Sequence, residues 1–240
     1  MCTRSMHRLI TDTEFVSKNI VSYGLIVYAQ DTQHWLITQR KHSVDFILFF
    51  KGAYRPVHLP FIFSNITPAE ADIIRNCIKR GPEYFSDVYL HELGFAPVGL
   101  DYAHIRMAES VNIVKNLLSR LDIRDNDLAW TWPKGRLSYD TGKETPLECA
   151  FREFDEEVEI KLPEPVYISS SCFNEIIKTR DCRNVECRYW VYVIAQEIPL
   201  TRPQAHPEVA DRRWVDLDEC RRLLIHTQAL DDAVIQIKNI

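Results

Sequence analysis

Glu153, Glu156 and Glu157 are the residues of this chain whose types and spacing most directly suggest chemistry. They lie in the run PLECAFREFDEEVEI, at intervals of three and one. In the same run Leu147, Phe151, Phe154 and Val158 are spaced four, three and four apart, which puts them on one stripe of a helix. At ~100° per residue the three carboxylates centre about 140° from that stripe. Such a helix anchors one face in a core and presents three acids on the other. Like charges held this close raise one another's pKa unless a cation lies among them. An all-oxygen cluster suits Mg2+ or Mn2+, which favour sites shared with substrate phosphates. Ions of this kind polarise phosphoryl oxygens, generate hydroxide and hold a leaving group, the functions that hydrolysis of a diphosphate link requires. A solvated helix face also carries acids, so the flanking residues decide between the two readings.

The elements that must position these acids can be read from the pattern of the chain. Ser22 to Ala29 reads as a buried strand, Asp31-Thr32-Gln33 as a turn, and His34 to Arg40 as the second strand of a hairpin. Val44 to Phe50 is a further apolar run, strand or loop. From Thr67 the texture turns helical, with Thr67 as N-cap, Pro68 at the first helical position and Glu70 three residues after the cap. Gly81-Pro82 stops that helix near Arg80. A second helix is expected from Pro82 to Leu93 and a third from Ala103 to Leu121, striped by Ile105, Ala108, Val111, Val114, Leu117, Leu118 and Leu121. Strands follow at Leu128 to Trp132, Val166 to Ser170, Arg188 to Ala195 and Arg213 to Val215. The helix of the three acids begins near Thr145-Pro146, and Leu217 to His226 and Asp231 to Ile240 close the chain as helices. The pattern predicts an α+β fold: a mixed sheet whose N-terminal part (1–63) is separated from its main part (127–240) by a helical subdomain (64–126).

Composition narrows the function classes. The seven cysteines are odd in number and none has C-x-x-C spacing, so neither a zinc site nor a disulfide framework is expected. The N-terminal residues lack an apolar leader segment and no apolar run reaches spanning length, so neither secretion nor a membrane is expected. The net charge of −5 does not mark the whole chain as a nucleic-acid binder. Contact with RNA would fall to a local basic surface on or near the helical subdomain, where Lys51, Arg55, Arg75, Lys79, Arg80, Arg106, Lys115 and Arg120 lie.

The residues around the acids resemble the signature of the Nudix hydrolases. Glu144 is followed by seven residues and then by Arg152-Glu153-Phe154-Asp155-Glu156-Glu157-Val158-Glu159-Ile160, in which Arg152, Glu153, Phe154, Glu156, Glu157 and Ile160 match. Two positions depart from it. Eight residues rather than five separate Gly135 from Glu144, and Glu159 stands where a glycine usually caps the helix with positive φ. The resemblance implies a Nudix α/β/α sandwich with a mixed sheet, and Mg2+ or Mn2+ held by Glu153, Glu156, Glu157 and the carbonyl of Gly135. It further implies Arg152 as an ion-pair partner that orients Glu153, and Glu144 as a supporting carboxylate. Glu208, in the segment HPEVADRRWVDLDEC, is implied as a distal ligand or general base.

Trp132-Pro133-Lys134-Gly135 resembles the corresponding run of decapping and diphosphoinositol-polyphosphate Nudix enzymes, with Lys134 as a phosphate contact. From about Ser22 onward the chain is similar to the mRNA-decapping Nudix enzymes of large cytoplasmic DNA viruses, the poxvirus and asfarvirus type. That resemblance implies capped mRNA as substrate, release of m7GDP and 5′-monophosphate RNA, and action in a host cytoplasm during infection. It also implies cap recognition by Asp181 and Tyr189, with Phe46 as a possible second ring, although Val44 stands in register with one poxvirus stacking Phe. Lys79, Arg80 and Lys115 would bind RNA. Diphosphoinositol polyphosphates and dinucleoside polyphosphates are alternative substrates, and an inactive Nudix-fold RNA-binding module is an alternative of another class.

Overall fold

The computed structural model describes residues 20–120, 123, 128–138, 143–178, 184–200 and 206–240. An eight-stranded sheet runs in the order β3-β2-β1-β7-β5, with β4 also on β1, β6 on β7 and β8 on β2. The strands are β1 (Ile20–Ala29), β2 (His34–Arg40), β3 (Trp130–Thr131), β4 (Lys134–Gly135), β5 (Tyr167–Ile168), β6 (Phe173–Lys178), β7 (Asn184–Ile194) and β8 (Val209–Val215). β1 and β7 are parallel over the whole of β1, from Ile20 opposite Val185 to Ala29 opposite Ile194, and the other named pairs are antiparallel. The sheet is therefore mixed, as its pattern predicts.

Alternation along the strands separates two cores. Leu25, Val27 and Leu36 face the helix of the acids, α6 (Pro146–Val158), and pack on its Cys149, Ala150, Phe154 and Val158. Ile26, Trp35, Ile37 and Tyr189 face the other way, with residues of α7 (Leu217–Leu223) and α8 (Gln228–Ile237). The sheet is thus covered on both faces.

Between β2 and β3 the chain builds a helical body: α1 (Val44–Phe50), α2 (Leu59–Phe63), α3 (Pro68–Arg80), α4 (Pro82–Asp87) and α5 (Leu100–Arg120), with a π-helical turn at Val88–Glu92. Three details differ from the sequence expectation. Val44–Phe50 is a helix, because Ser43 caps it and Phe46, Phe49 and Phe50 enter the apolar cluster of the helical body. That cluster starts at Phe46, upstream of residue 64. On α5 the buried stripe passes through Ala103, Ser110 and Val114, while Ile105 is exposed. Ser110 is accommodated because its hydroxyl meets the Tyr54 hydroxyl at 2.8 Å and donates to the Arg106 carbonyl at 2.7 Å. β6 is a strand that the sequence pattern does not announce.

One carboxylate ties the helical body to the end of β2. Glu70 completes the capping box of α3 by accepting from the Thr67 N–H at 2.8 Å. It also accepts from the Ser43 N–H at 2.6 Å and the Ser43 hydroxyl at 2.9 Å, so it braces the cap of α1 as well. His42 stands 3.7 Å away and stacks on Phe46. Burial alone would raise the Glu70 pKa, but the nearby His42 imidazole and the hydrogen bonds from Thr67 and Ser43 together outweigh it and hold the group below its ordinary value. Because the folded pKa is depressed, the stabilisation is complete above the unfolded value, about 4.3, and is lost as pH falls through the folded value. Glu70→Ala should cost about 2–3 kcal/mol. In thermal melts between pH 7 and pH 3, Glu70→Gln should lack the part of the acid destabilisation that the wild type shows below its unfolded pKa. Superimposable pH profiles would contradict this role.

Candidate active site

Helix α6 is specified locally. Thr145 accepts from the Glu148 N–H, Glu148 returns the bond to the Thr145 N–H at 2.7 Å, and Pro146 occupies the first turn. With its apolar stripe seated on β1, Glu153, Glu156 and Glu157 line one cavity of about 380 Å3 together with His206, Pro207 and Glu208. Glu208 comes from the loop before β8, and its carbonyl accepts from the Lys41 N–H at 2.8 Å, which fastens that loop to the end of β2. Four carboxylates from two separate segments therefore share one wall-to-wall space.

Arg152 organises this group. Its Nε donates to Glu144 Oε1 at 2.7 Å, and its Nη1 donates to Glu153 Oε1 at 2.8 Å and to Glu156 Oε2 at 3.0 Å. Nη2 reaches the Arg136 carbonyl at 2.8 Å and Glu144 Oε2 at 3.2 Å. Glu144 also accepts from the Ser138 N–H at 2.9 Å. The Arg152 hydrogen bonds and the Ser138 N–H hold the Glu144 pKa below its ordinary value. Burial raises Glu153, an effect that Arg152 opposes and Glu156 and Glu208 reinforce. Among the described residues no three ligating side chains converge on a single point. Arg152 holds Glu153 and Glu156 on one side, while Glu157 Oε2 accepts from the Lys134 N–H at 3.3 Å.

Gly135 is required by a close approach. A β-carbon there would stand 2.0 Å from the Glu153 carboxyl carbon, so this carboxylate lies directly over the β4 backbone. Gly24 serves the same end one layer down, since a β-carbon on it would meet the Pro133 carbonyl at 2.3 Å and keep β4 off β1.

Glu157 is less solvated than a solvent-facing acid. Burial pushes its pKa well up, and Glu208 and Glu153 add to the shift while Lys134 and Arg40 oppose it. Lys134 is turned inward, its ammonium donating to the Thr131 hydroxyl and to the Trp132 carbonyl. It lines a narrow cleft of about 60 Å3 with Thr38, Gln39, Arg40, Thr131, Glu157, Glu208 and Val209. Burial lowers its pKa, and Arg40 adds to that.

The profile of the NUDIX domain matches residues 116–235, half of the chain. The chain belongs to the Nudix family. The α+β architecture, with a mixed sheet between helices, is accordingly that of a Nudix fold. The first strands of this Nudix protein, β1 and β2, lie outside the matched residues and rejoin the sheet across the helical body. No curated protein matches the sequence. Among solved structures, the chain is similar to an Ap4A hydrolase of C. elegans in a binary complex, at 12% identity and a TM-score of 0.48, covering 92% of this chain and 99% of that one. It is similar to the NUDIX domain of Shewanella oneidensis NrtR complexed with ADP ribose, at 9% identity and a TM-score of 0.44, covering 96% and 94%. It is also similar to a bifunctional NMN adenylyltransferase/ADP ribose pyrophosphatase of Francisella tularensis complexed with AMP and a Mn ion, at 14% identity and a TM-score of 0.44, covering 92% and 42%.

The aromatic residues expected at the ligand are elsewhere. Phe46 is fully buried in the helical body between His42 and Phe50. Tyr189 is 1% exposed and faces the core under α7 and α8, where burial drives its pKa well above the ordinary value. Neither ring presents a face to the acidic cavity's solvent. Val44 is exposed at the start of α1. Asp181 lies outside the described residues. Lys79, Arg80 and Lys115 are exposed on α3 and α5, with the Arg80 guanidinium over the Tyr84 ring at 3.9 Å. Arg106 is bound to Glu109 and the Tyr54 carbonyl, and Arg75 to Asp72 and the Leu118 carbonyl. Among the described residues Cys77, Cys149, Cys172, Cys187 and Cys220 are free thiols.

Two charged residues near the site escape sequence reasoning. Glu175 is a buried acid on β6 whose charge acts on Lys134, and it sits in the strand that the pattern does not announce. Arg212 lies buried on β8 beneath the end of α6. Glu159 takes the left-handed conformation (φ 54°, ψ 31°) of the usual glycine, and its carboxylate accepts from Arg212 Nη2 at 3.1 Å. Nε and Nη1 of Arg212 have no hydrogen-bond partner among the described residues. Glu159→Gly would relieve a left-handed strain of about 1 kcal/mol yet leave a buried guanidinium without its counter-charge, a larger penalty of about 3 kcal/mol. The variant should therefore melt below the wild type, and Glu159→Gly with Arg212→Leu should recover part of the loss. A gain in melting temperature from Glu159→Gly alone would refute the pairing.

Proposed function

We propose that this Nudix protein is a divalent-metal hydrolase that cleaves a pyrophosphate link. The observation that carries the reading is the convergence of Glu153, Glu156, Glu157 and Glu208 on one cavity large enough for a nucleotide. The donor set suits Mg2+ or Mn2+: it is all oxygen, carboxylate-rich, and completed by the Gly135 backbone that the Glu153 carboxylate overlies. When bound, such an ion supplies Lewis-acid polarisation of the phosphate bridge and neutralisation of its charge. Glu153, Glu156 and Glu157 would hold such an ion. Arg152 keeps Glu153 and Glu156 oriented and cancels part of their repulsion. Glu208, on the separate loop, takes the proton of the attacking water. Arg40, in the adjoining cleft, faces the phosphates, while Lys134 stays turned inward to Thr131 and the Trp132 carbonyl.

Within this class we take 5′-capped mRNA as the substrate, released as m7GDP and 5′-monophosphate RNA. The sequence similarity to viral decapping enzymes supports it, as do the exposed Lys79, Arg80 and Lys115 on a helical body that abuts the site. The burial of Phe46 and Tyr189 argues that the base is not held between those two rings. Activity in a host cytoplasm belongs to the same reading. The candidate substrates are separated by product analysis with Mn2+, using cap-labelled RNA, a dinucleoside polyphosphate and a diphosphoinositol polyphosphate side by side.

Glu156→Gln and Glu157→Gln should each lower kcat by on the order of 100-fold or more, with melting temperatures close to wild type. Unchanged kcat in both would remove the hydrolase assignment, and a wild type as inactive as Glu157→Gln on every diphosphate would favour a binding module. Gly135→Ala should reduce activity more than stability, because the flexible Glu153 side chain yields and the carboxylate leaves its place. Charge reversal at Lys79, Arg80 and Lys115 should weaken long capped RNA more than a cap dinucleotide, and equal losses on both would exclude RNA from that surface.

A further inference from the structure

Among the described residues the acidic cavity is lined by Glu153, Glu156, Glu157, His206, Pro207 and Glu208. Four of these are carboxylates and one is a proline, so with the acids ionised none of those five side chains offers a hydrogen-bond donor. His206 is the exception, and the hydrolase reading leaves it unused. The nearby cations are placed differently. Arg152 commits its donors to Glu144, Glu153, Glu156 and the Arg136 carbonyl. Arg40 and Lys134 line the narrower cleft behind Glu157.

Two backbone hydrogen bonds fix the state of the His206 ring. The Glu208 N–H donates to its Nδ1 at 3.1 Å and the Val209 N–H donates to the same atom at 3.0 Å. Only a nitrogen without a proton accepts, so the lone pair stands at Nδ1 and the proton of the neutral ring at Nε2. Among the described residues Nε2 has no hydrogen-bond or ion-pair partner. The ring therefore turns its acceptor to its own loop and keeps a free donor on the far edge, in the wall of the cavity. The same bonds exclude His206 from a metal's ligands, although it stands among four carboxylates. A neutral imidazole ligates through its lone pair, and here two N–H groups already occupy it. The loop is fastened again at Glu208, whose carbonyl accepts from the Lys41 N–H at 2.8 Å, so His206 and Glu208 are held as one unit.

We propose that His206 donates from Nε2 to a non-bridging phosphate oxygen of the substrate, and so binds the diphosphate without touching the metal. The proposal rests on the hydrolase reading of the same cavity. A phosphate entering a space walled by acids needs a donor as well as a cation, because oxygens that meet neither are repelled by the carboxylates. A fixed N–H aimed at an anionic oxygen is among the stronger hydrogen bonds available. The loop of Glu208 then carries two functions side by side, an acceptor for the proton of water and a donor to the phosphate.

The test uses two variants that divide the ring between them. Asn at this position keeps an oxygen near Nδ1 to cap the loop but stops short of Nε2. Gln carries an amide as far as Nε2 but cannot cap the loop. The probe is methylenediphosphonate with Mg2+, whose bridge is not hydrolysed, and binding is read by calorimetry. His206→Asn should bind it about tenfold more weakly than the wild type, the worth of one hydrogen bond to a charged group, with a melting temperature close to wild type. His206→Gln should lie nearer the wild type in affinity and further from it in melting temperature. The reverse order, or a wild type that does not bind the probe, would overturn the proposal. In nitrogen-15 spectra of the metal-free protein at about pH 8, where imidazoles are ordinarily neutral, His206 should show the Nε2–H tautomer, and the Nδ1–H tautomer would refute it. Mn2+ alone should bind the wild type and His206→Asn equally, whereas a histidine nitrogen coupled to Mn2+ in pulsed electron paramagnetic resonance would make His206 a ligand and sink the proposal. If the wild type cleaves no diphosphate yet the two variants bind the probe in the expected order, the hydrolase reading falls and the donor stands. If His206→Asn cleaves cap-labelled RNA with wild-type kcat/KM, the donor falls and the hydrolase reading stands.

Discussion

The guanidinium of Arg152 joins the loop after β4 to the acidic face of α6, and the arrangement of the cavity depends on it. A rigid fork of donors matches carboxylate geometry in a way an ammonium does not. Here it spans Glu144, Glu153, Glu156 and the Arg136 carbonyl at once. Three acids that would otherwise repel are held in fixed positions around one positive charge. The Glu153 carboxylate is thereby laid over Gly135, where only a hydrogen leaves room for it. The loop after β4, the end of β4 and the acidic face of α6 are in this way a single electrostatic unit.

Around that unit the charges form successive layers. Arg152 lies to one side of the acids, the Glu208 loop closes the other, and Arg40 and Lys134 fill the cleft behind Glu157. Glu159 shows how the same economy works at the end of the helix. A left-handed residue with a side chain is tolerated there because the carboxylate answers a buried cation that no backbone group satisfies. The glycine of the usual signature is replaced by a pair whose members depend on each other.

How much of this was legible in the sequence follows from the range of the forces involved. Helix α6 was readable because its apolar stripe, its capping box and its acids are all local, and β2 because its short apolar run directly follows the Asp31-Thr32-Gln33 turn. Glu208 was found by its neighbours in the chain, and the sheet closes around β8 to bring it to the acids. Val44–Phe50 was not readable: a continuous apolar run does not choose between strand and helix, and the choice falls to the Ser43 cap and to Glu70, far along the chain. The burial of Phe46 and Tyr189 is likewise decided by which face of an element meets another element. Ser110 can lie on the buried stripe of α5 because Tyr54 supplies a hydrogen-bond partner. Arg212 carries no sequence signal, since its partner Glu159 reads as a broken glycine.

The parallel pairing of β1 with β7 has a bearing on how the molecule is made. The two strands are far apart in sequence, with the whole helical body and α6 between them. Until β7 and β8 arrive, the β1–β2 hairpin therefore has both edges bare, and such edges invite pairing with the wrong chain. The helical body, whose contacts are nearer in sequence, is able to consolidate first and to shelter the end of β2 through Glu70 and Ser43. The acidic cavity needs both α6 and the Glu208 loop before β8, so it is completed only when these segments, far apart in sequence, meet.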